Sequence, residues 1–502
     1  MNDFEQLVHR AYRALLDIAP FVDQREKFFE LMFEQLPETV IDRESLKQIQ
    51  VDDLFAAMNH TRTPTGAATL YRSLIQPLTS LDLILEKQNS LKELESNERL
   101  RNALIDYLEK VKKGTRSLDP DMNGEGALYH FVNARSDDKH REFLFPYVNF
   151  RSAINTGTKI ADAARQIPIP ESRYLETLVS TLQRFSNAKS YRLMTVPVYR
   201  TYSTFTEFFR NFFNPSMKPR RDVYFLTPKW KFTSRHLSGP AICTAIGSLG
   251  MKLAMQAGIL PQNPIINELN FWAGYFIFVS LMYMGVLKPS TDSLTAIKPL
   301  ARQIRADQEF QLAIDSLGKL DELVSFYEYA RAMQPHKMTL PKMEYAARHY
   351  LRATSVVNPI MAKNDPDWVP IDITFDGCKL TFYTGRHSAG KTTIGKTVPQ
   401  IQLMAQIGSY VPAEEAEISV ADRILYAFHL PDILQNRAGD FETDLKRTRD
   451  SFYAATPRSL YVYNALASGT TTREEIEQSY GILHDFATKG GNTIYITHRH
   501  EL

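Results

Sequence analysis

Cysteine and tryptophan are scarce in this chain, which has two cysteines and three tryptophans among 502 residues. The two thiols, Cys243 and Cys378, cannot form a disulfide framework or a four-cysteine zinc site. A reducing, cytoplasmic location is therefore expected. The first residues are acidic and lack an apolar core, which argues against a secretory signal.

An excess of charge of either sign is also absent, since 59 basic and 57 acidic residues nearly cancel. The overall charge therefore does not predict nucleic-acid binding, and any such site would be a local patch. Apolar residues make up 44% of the chain, which is enough to bury a sizeable core. A chain of this length is expected to form two to four domains.

The character of the sequence changes near residue 340. After it, apolar runs at 371–375 and 380–383 are each followed by glycine or by a helical stretch, which is the α/β pattern. We predict an N-terminal helical segment over 1–45, a helical core domain over 46–340, and an α/β domain over 341–502. Before the boundary, leucines at three- and four-residue steps predict one buried helical face: Leu70, Leu74, Leu78, Leu81 and Leu85. A long helix or a pair of helices is predicted over 300–333, with a second apolar side: Leu312, Leu317, Leu320, Leu323 and Phe326.

Two neighbouring apolar stretches, 239–260 and 269–287, form a distinct pair. The second has no charged residue over a length that nearly matches a bilayer core, and basic residues flank the pair on both outer sides, as they would flank an inserted hairpin. Lys252 in the first stretch would be costly near the bilayer centre. We predict that the pair packs inside protein, as helices of the core domain over 46–340 or at a subunit contact. Insertion into a membrane is the alternative.

The segment Gly385–Thr392 matches the phosphate-binding pattern G-x-x-x-x-G-K-[ST], between an apolar strand and a helical run. Its glycines let backbone N–H groups point at phosphate oxygens, and the helix adds the positive end of its dipole. Lys391 places a charge on the phosphates, and Thr392 offers a hydroxyl to Mg²⁺. The predicted nucleotide-binding residues of this segment are Gly385, Arg386, His387, Ser388, Ala389, Gly390, Lys391, Thr392 and Thr393.

The residues around this loop resemble the ATPase domain of the MutS family of DNA-repair proteins. The phrase M-A-Q-I-G-S-Y-V-P-A at 404–413 matches the family's phrase in order, and Asp422-Arg423-Ile424 follows it. Arg348-His349 resembles a short Arg-His phrase that precedes the family's nucleotide site. Trp368 begins a phrase similar to the family's aromatic-Val-Pro, whose aromatic ring stacks on adenine. The resemblance makes Trp368 the adenine candidate, with a core tryptophan as the alternative.

Weaker likenesses extend upstream. Residues 59–66 resemble the T-x-T-x-x-G phrase at the start of the family's helical lever domain, and 74–78 are similar to the W-L-x-x-P-L that follows it. Residues 313–335 resemble the helix that returns from the lever to the ATPase. The resemblance covers about half of the chain. It does not include the family's mismatch-reading domain with its Phe-x-Glu wedge, so mismatch reading is not expected.

Two departures from the family concern hydrolysis. The strand at 459–463 is similar to a motif that ends in Asp-Glu, where the Glu activates the attacking water. Asn464 takes the place of the Asp and can still orient a Mg²⁺-bound water, whereas Ala465 offers no base. His498 matches a family histidine that approaches the γ-phosphate. Two interpretations stay open: a natural nucleotide sensor that does not hydrolyse ATP, or an ATPase whose catalytic Glu has been replaced by alanine. The retention of the other site residues favours the replacement.

A further departure concerns the phrase that one subunit of the family offers to the nucleotide of the other. Gly439-Asp440-Phe441 stands in the place of S-T-F, so Phe441 is kept and the serine hydroxyl is lost. A composite site of this kind implies a homodimer. The helices that follow in the family are not found before Leu502, which suggests truncation or a minimal family member.

The resemblance implies a mixed fold, with an α-helical lever or core domain followed by an α/β P-loop ATPase domain of the ABC type. It implies ATP and Mg²⁺ as cofactors, a homodimer, and levers that bind DNA of unusual structure in a repair- or recombination-like role. A basic patch on the lever tips would favour this function. The alternative is a membrane-associated or scaffold ATPase that regulates a protein partner.

Overall fold

The computed structural model describes residues 40–112, 156–195, 307–376, 379–385, 390–428, 452–464 and 472–497, with isolated positions within 247–278, at 303–304 and at 449–450. The chain divides into two compact units. One comprises Met1–Leu108, Ile167–Ser180 and Asp315–Leu502, and the other comprises Glu109–Gln166 and Thr181–Ile314.

Helices dominate the described residues before 340. They include α1 (Arg43–Gln48), α2 (Val51–Met58), α3 (Pro64–Ile75), α4 (Leu81–Ser96), α5 (Glu98–Lys112), α6 (Arg173–Arg184), α7 (Lys189–Met194) and α8 (Gln308–Ala332). Two further helices lie among the strands, α9 (Lys391–Gln406) and α10 (Thr472–Lys489). Short 3-10 turns occur at Phe185–Asn187 and Ala362–Asn364.

The strands form two sheets. The first has the order β1 (Lys342–Glu344), β5 (Glu415–Ser419), β2 (Leu351–Val356), β3 (Ile371–Phe375) and mixes parallel with antiparallel pairs. The second has the order β4 (Leu380–Tyr383), β8 (Asn492–Ile496), β7 (Leu460–Asn464), β6 (Ile424–Phe428) and is parallel throughout. Every residue of β7 and β8 is buried, as is usual for central strands of a parallel sheet. A mixed helix-and-sheet fold is therefore confirmed.

Residues 40–48 cover the edge strand β6 of the parallel sheet. Ile41 forms a parallel bridge with Ile424. The Ser45 hydroxyl donates to the carbonyl of Tyr426 at 3.2 Å and accepts from the N–H of the same residue at 2.8 Å. These contacts satisfy backbone groups that an edge strand would otherwise leave open to pairing.

The predicted leucine face is split between two helices, so the prediction of one continuous face is wrong. Helix α3 ends at Ile75, and α4 begins after Ser80, whose side chain accepts from the N–H of Leu83. Pro77 lies between them and cannot donate the N–H that a continuous helix would need. Leu70 and Leu74 are buried in α3, whereas the restart turns Leu85 outward, and the apolar side chains buried in α4 are Ile84, Leu91 and Leu94.

The predicted apolar side of α8 is confirmed except at its first position. Leu317, Leu320, Leu323 and Phe326 are buried, whereas Leu312 is 54% exposed. The buried stripe at four- and three-residue steps passes through Ala313, Leu317, Leu320 and Val324. Leu312 lies one position away from this stripe and therefore faces solvent.

Most of the apolar pair at 239–287 lies outside the described residues. At four described positions of the second stretch, Phe271, Trp272, Tyr275 and Phe278, the side chains are 57–70% exposed. The prediction of burial within one chain is wrong at these positions, because no described segment covers them. A subunit contact stays a prediction. In the part of the chain that the structure describes, no helix has the length and apolar character needed to cross a membrane.

One buried carboxylate, Asp321 of α8, holds the start of α3. It accepts hydrogen bonds from the backbone N–H groups of Arg62 at 3.0 Å and Thr63 at 2.8 Å, and from the Thr63 hydroxyl at 2.6 Å. Gly66 passes so close that a Cβ there would lie 2.2 Å from Asp321 Oδ2. This carboxylate therefore explains two positions of the T-x-T-x-x-G phrase. The second threonine, Thr63, donates its hydroxyl to Asp321, and the position of Gly66 has no room for a side chain.

We expect the stability contribution of Asp321 to depend on pH. Burial raises the pKa of Asp321 to about 6, although hydrogen bonds from Thr63 and Arg62 oppose the rise. This contribution is fully present below the unfolded pKa near 4 and is lost as pH rises through 6. Relative to an Asp321→Asn chain, the native chain should therefore gain on the order of 2 kcal/mol between pH 7 and pH 4. Urea unfolding of both chains across this range measures the free energy of unfolding of each. If the native chain gained stability over Asp321→Asn toward neutral pH, the raised pKa of Asp321 would be contradicted.

Candidate functional site

The carboxyl ends of the four parallel strands lie at one edge of the second sheet. The register pairs Ile496 with both Tyr383 and Asn464, and Asn464 with Phe428. Thr497 follows β8 and donates its N–H to the carbonyl of Tyr383 at 3.1 Å. Ligands of open α/β sheets bind outside the carboxyl ends of the strands. This edge is therefore the candidate site.

The loop after β4 leads into helix α9 at this edge. Gly390 has φ 78°, a left-handed conformation that favours glycine, and α9 begins at the next residue. Lys391 is only 7% exposed, and its Nζ donates to the carbonyl oxygen of Gly385 at 2.6 Å. The lysine thus joins the two ends of the loop. The first turn of α9 supplies backbone N–H groups and a positive dipole end, which suit an anion.

Asn464, the last residue of β7, approaches the second residue of α9. Its Nδ2 lies 3.5 Å from Thr392 Oγ1, and its side chain is buried. Burial raises the pKa of Tyr426 on β6 to about 12. The hydroxyl of Thr392 and the amide of Asn464 are neutral oxygen ligands of the kind that Mg²⁺ accepts alongside water and phosphate. A magnesium ion held by the Thr392 hydroxyl and the Asn464 amide oxygen would need negative ligands from elsewhere, such as phosphate oxygens.

A close approach of α9 to the sheet fixes the position of this helix. A Cβ at Gly395 would lie 2.4 Å from Ile496 Cδ1, with side-chain atoms of Tyr426 and Val462 also within 4 Å. Glycine therefore lets the helix lie directly on β8 and its neighbours. Lys391, about one turn earlier, is held over the carboxyl ends of the same strands.

Sequence reasoning missed a buried polar network on the last turns of α9. Gln400, Gln402 and Gln406 are all completely buried. Buried amides are costly unless they are hydrogen-bonded, and each of these amides has partners in other segments of the chain. The only sequence signal was the recurrence of glutamine within the apolar run Q-I-Q-L-M-A-Q at 400–406.

His349 belongs to the same network. Its Nε2 lies 3.0 Å from Gln402 Oε1, and its Nδ1 lies 3.2 Å from Nδ2 of Asn492 at the start of β8. Because the Asn492 amide nitrogen can only donate, Nδ1 accepts and Nε2 carries the proton. Burial lowers the pKa of His349 to about 4, so the ring is neutral at physiological pH. Its position behind α9 gives the Arg348-His349 phrase a structural role.

The structure brings only some of the predicted site residues together. Lys391, Thr392 and Asn464 lie at the same edge of the parallel sheet. Trp368 is half-buried in the turn before β3 of the other sheet, where its backbone N–H donates to the carbonyl of Asp365 at 3.2 Å. No contact of Trp368 with the loop is found among the described residues, and its role stays a prediction. Residues outside the described part are Arg386, His387, Ser388, Ala389, Gly439, Asp440, Phe441, Ala465 and His498.

Comparison with known proteins places the chain in a family. The model of MutS domain III matches residues 35–326, and the model of MutS domain V matches residues 381–502. Together these matches cover most of the chain, including the whole of the parallel sheet except Leu380. The chain belongs to the MutS family.

Individual relatives are proteins named DNA mismatch repair protein MutS. The one from Syntrophobacter fumaroxidans is 31% identical over 220 residues, which are 40% of this chain and 23% of the relative. The one from Chloroflexus aurantiacus is 28% identical over 246 residues, 48% of this chain and 24% of the relative. The one from Synechocystis is 23% identical over an alignment that covers 92% of this chain and 54% of the relative. This chain therefore spans about half or less of the length of these relatives.

We expect His349 to make stability fall in acid. The folded pKa is lower than the unfolded one, so the stability that depends on neutral His349 is lost as pH falls from about 6.5 to about 4. The loss should reach on the order of 3 kcal/mol. Asp321 acts in the opposite direction in the same range, so the native curve alone does not separate the two groups.

A His349→Gln chain isolates this effect, because glutamine keeps an amide donor toward Gln402 but does not titrate. Urea unfolding at pH 7 and at pH 4.5 should show the native chain losing more stability than the variant. If the two chains lost equal amounts of stability between pH 7 and pH 4.5, burial would not be holding His349 neutral.

Proposed function

We propose that this MutS-family chain binds Mg-ATP at the edge of the parallel sheet, through a P-loop at Gly385–Thr392 in an ABC-type ATPase domain. The observation that carries the proposal is the meeting of Lys391 and Thr392, at the start of α9, with Asn464 at the end of β7. Lys391 would exchange the Gly385 carbonyl for phosphate oxygens. Thr392 and Asn464 would hold Mg²⁺, which would shield the negative charge of the phosphates.

Hydrolysis of the bound ATP is proposed to be very slow. In the family arrangement, Ala465 takes the place of the general base, and an alanine methyl group cannot accept a proton from water. His498, next to Thr497 at the site edge, is proposed to approach the γ-phosphate. Trp368 is proposed to stack on adenine. The ATP-bound state would therefore be long-lived.

The chain is further proposed to act as a homodimer on DNA. Gly439, Asp440 and Phe441 of one subunit would face the nucleotide of the other, so that ATP binding closes the two sites together. The helical levers would hold DNA of unusual structure. Support comes from the family matches, which include MutS domain III over the helical part of the chain.

The nucleotide site is tested by Lys391→Ala, with Lys396→Ala as a matched control. Lys396 lies on the same helix, and its Nζ donates to Gln50 Oε1 at 3.0 Å, away from the loop. Loss of a charged hydrogen bond to phosphate should weaken Mg-ATP binding at least about tenfold in Lys391→Ala alone. Isothermal titration calorimetry measures both affinities, and equal weakening in the two variants would refute the site.

The absence of a base is tested by Ala465→Glu, with Ala465→Gln as the control of similar size. We expect Glu to raise ATP turnover at least about a hundredfold because it can accept a proton from water, and Gln to give no such gain. Phosphate release under saturating Mg-ATP measures both rates. An equal gain with Gln would mean that size, not basicity, limits turnover.

The action on DNA is tested by gel shift with branched, mismatched and plain duplex DNA of equal length, with and without Mg-ATP. We expect the plain duplex to bind most weakly of the three DNAs, and ATP to change the affinity for DNA, because a ligand shifts an equilibrium between two states only by binding one of them more tightly. Sedimentation of the same samples should show a dimer with ATP. Equal affinity for all three DNAs would contradict structure-specific binding, and a monomer at saturating ATP would contradict the composite site.

A further inference from the structure

We infer that Gln406 is a positioning residue that transmits nucleotide binding at the loop to the chain segment that begins helix α4. The inference rests on the proposed ATP site at the other end of α9. It concerns the residues that carry the movement, which neither the loop motif nor the family matches specify.

All hydrogen-bonding capacity of the Gln406 side chain is used. Its Nε2 donates to the carbonyls of Leu78 at 2.8 Å and Ala421 at 3.0 Å. Its Oε1 accepts from Gln402 Nε2 at 2.7 Å and from the N–H of Ala421 at 3.1 Å. An amide has two N–H donors and two acceptor positions, so all four are satisfied. A fully satisfied buried amide fixes its neighbours in one arrangement, which an apolar side chain would not do.

Leu78 is held through both of its backbone groups. Its carbonyl accepts from the Gln406 side chain, and its N–H donates to the Gln406 carbonyl at 3.1 Å. Leu78 lies in the turn between α3 and α4, only three residues before α4 begins. The position of this turn is therefore set by the carboxyl end of α9.

Helix α9 connects this clasp to the loop as one continuous helix, in which Pro399 lacks the N–H that would donate one backbone hydrogen bond. The helix has 16 residues, so Lys391 and Gln406 are separated by about 22 Å along its axis. Because α9 is a single helix, a tilt of its first turn about the close contact at Gly395 would also move its last turn. The polar network also runs from Gln402 through His349 to Asn492, the first residue of β8.

A second contact passes the same movement to α4. Gly408, two residues after α9, has φ 80°, and a Cβ there would lie 2.9 Å from Lys87 Cβ and 3.4 Å from the Ile84 carbonyl. Lys87 in turn pairs with Glu322 of α8 at 2.9 Å in a buried ion pair. The end of α9 is therefore in contact both with the turn before α4 and with the face of α4 that is linked to α8.

Hydrogen exchange on the full chain tests the inference, with Mg-ATP added or omitted. The variants are Gln406→Met and, as the matched control, Gln400→Met. Gln400 is equally buried on the same helix, but its amide donates to the Ile49 carbonyl at 2.7 Å and accepts from Asn358 at 3.2 Å, without a described bond to Leu78. Methionine keeps the volume of either side chain, and both variants lose buried hydrogen bonds.

We expect ATP to change exchange in peptides covering 78–96 by at least about threefold in the native chain and in Gln400→Met. In Gln406→Met, ATP should bind with an affinity within about threefold of the control, but the change at 78–96 should be absent. Retention of the change in Gln406→Met, or its loss in both variants, would overturn the inference. The inference would also be overturned if ATP bound to the native chain without changing exchange at 78–96. This measurement does not depend on the folding of any variant. Failure of the native chain to bind ATP would instead refute the proposed function.

Discussion

The close packing of α9 against the parallel sheet is the contact on which the rest of the structure depends. Gly395 allows the helix to lie on Ile496, so the first turn meets the carboxyl ends of the strands and the last turn reaches the segment before α4. The same helix therefore forms part of the candidate phosphate site and of the connection to the helical region. The buried amides of Gln400, Gln402 and Gln406 fix the position of α9 through hydrogen bonds, which offset the free-energy cost of burying polar groups.

Buried polar groups, more than apolar packing alone, specify how the separated parts of the first unit come together. Asp321 holds the start of α3, and His349 joins α9 to β8. The shifted pKa values of the two groups change the stability of the fold in opposite directions. The raised pKa of Asp321 makes the folded chain more stable in acid, whereas the lowered pKa of His349 makes it less stable. Each can act as a local reporter of folding in its own part of the unit.

Local pattern was enough to predict much of the fold but not its long-range contacts. The strands at 371–375 and 380–383 were confirmed because alternation and flanking glycines are local signals. The leucine face failed at Leu85 because the turn before α4 reorients the helix. The bond from Gln406 to Leu78 joins residues 328 positions apart through a backbone carbonyl, which leaves no side-chain pattern in the sequence. The loop residues were predicted from their motif, and their roles depend on the proposed ATP site.

The first turn of α9 is proposed to bind the phosphates of a nucleotide, and the other proposals depend on this contact. Calorimetric titration of the native chain with ATP, ADP and AMP in the presence of Mg²⁺ tests it most directly. A site built on Lys391, Thr392 and helix N–H groups should bind ATP and ADP at least about tenfold more tightly than AMP, because AMP lacks the β-phosphate that these groups would contact. Equal affinity for AMP and ATP would place the binding energy on the base and ribose and would contradict the account.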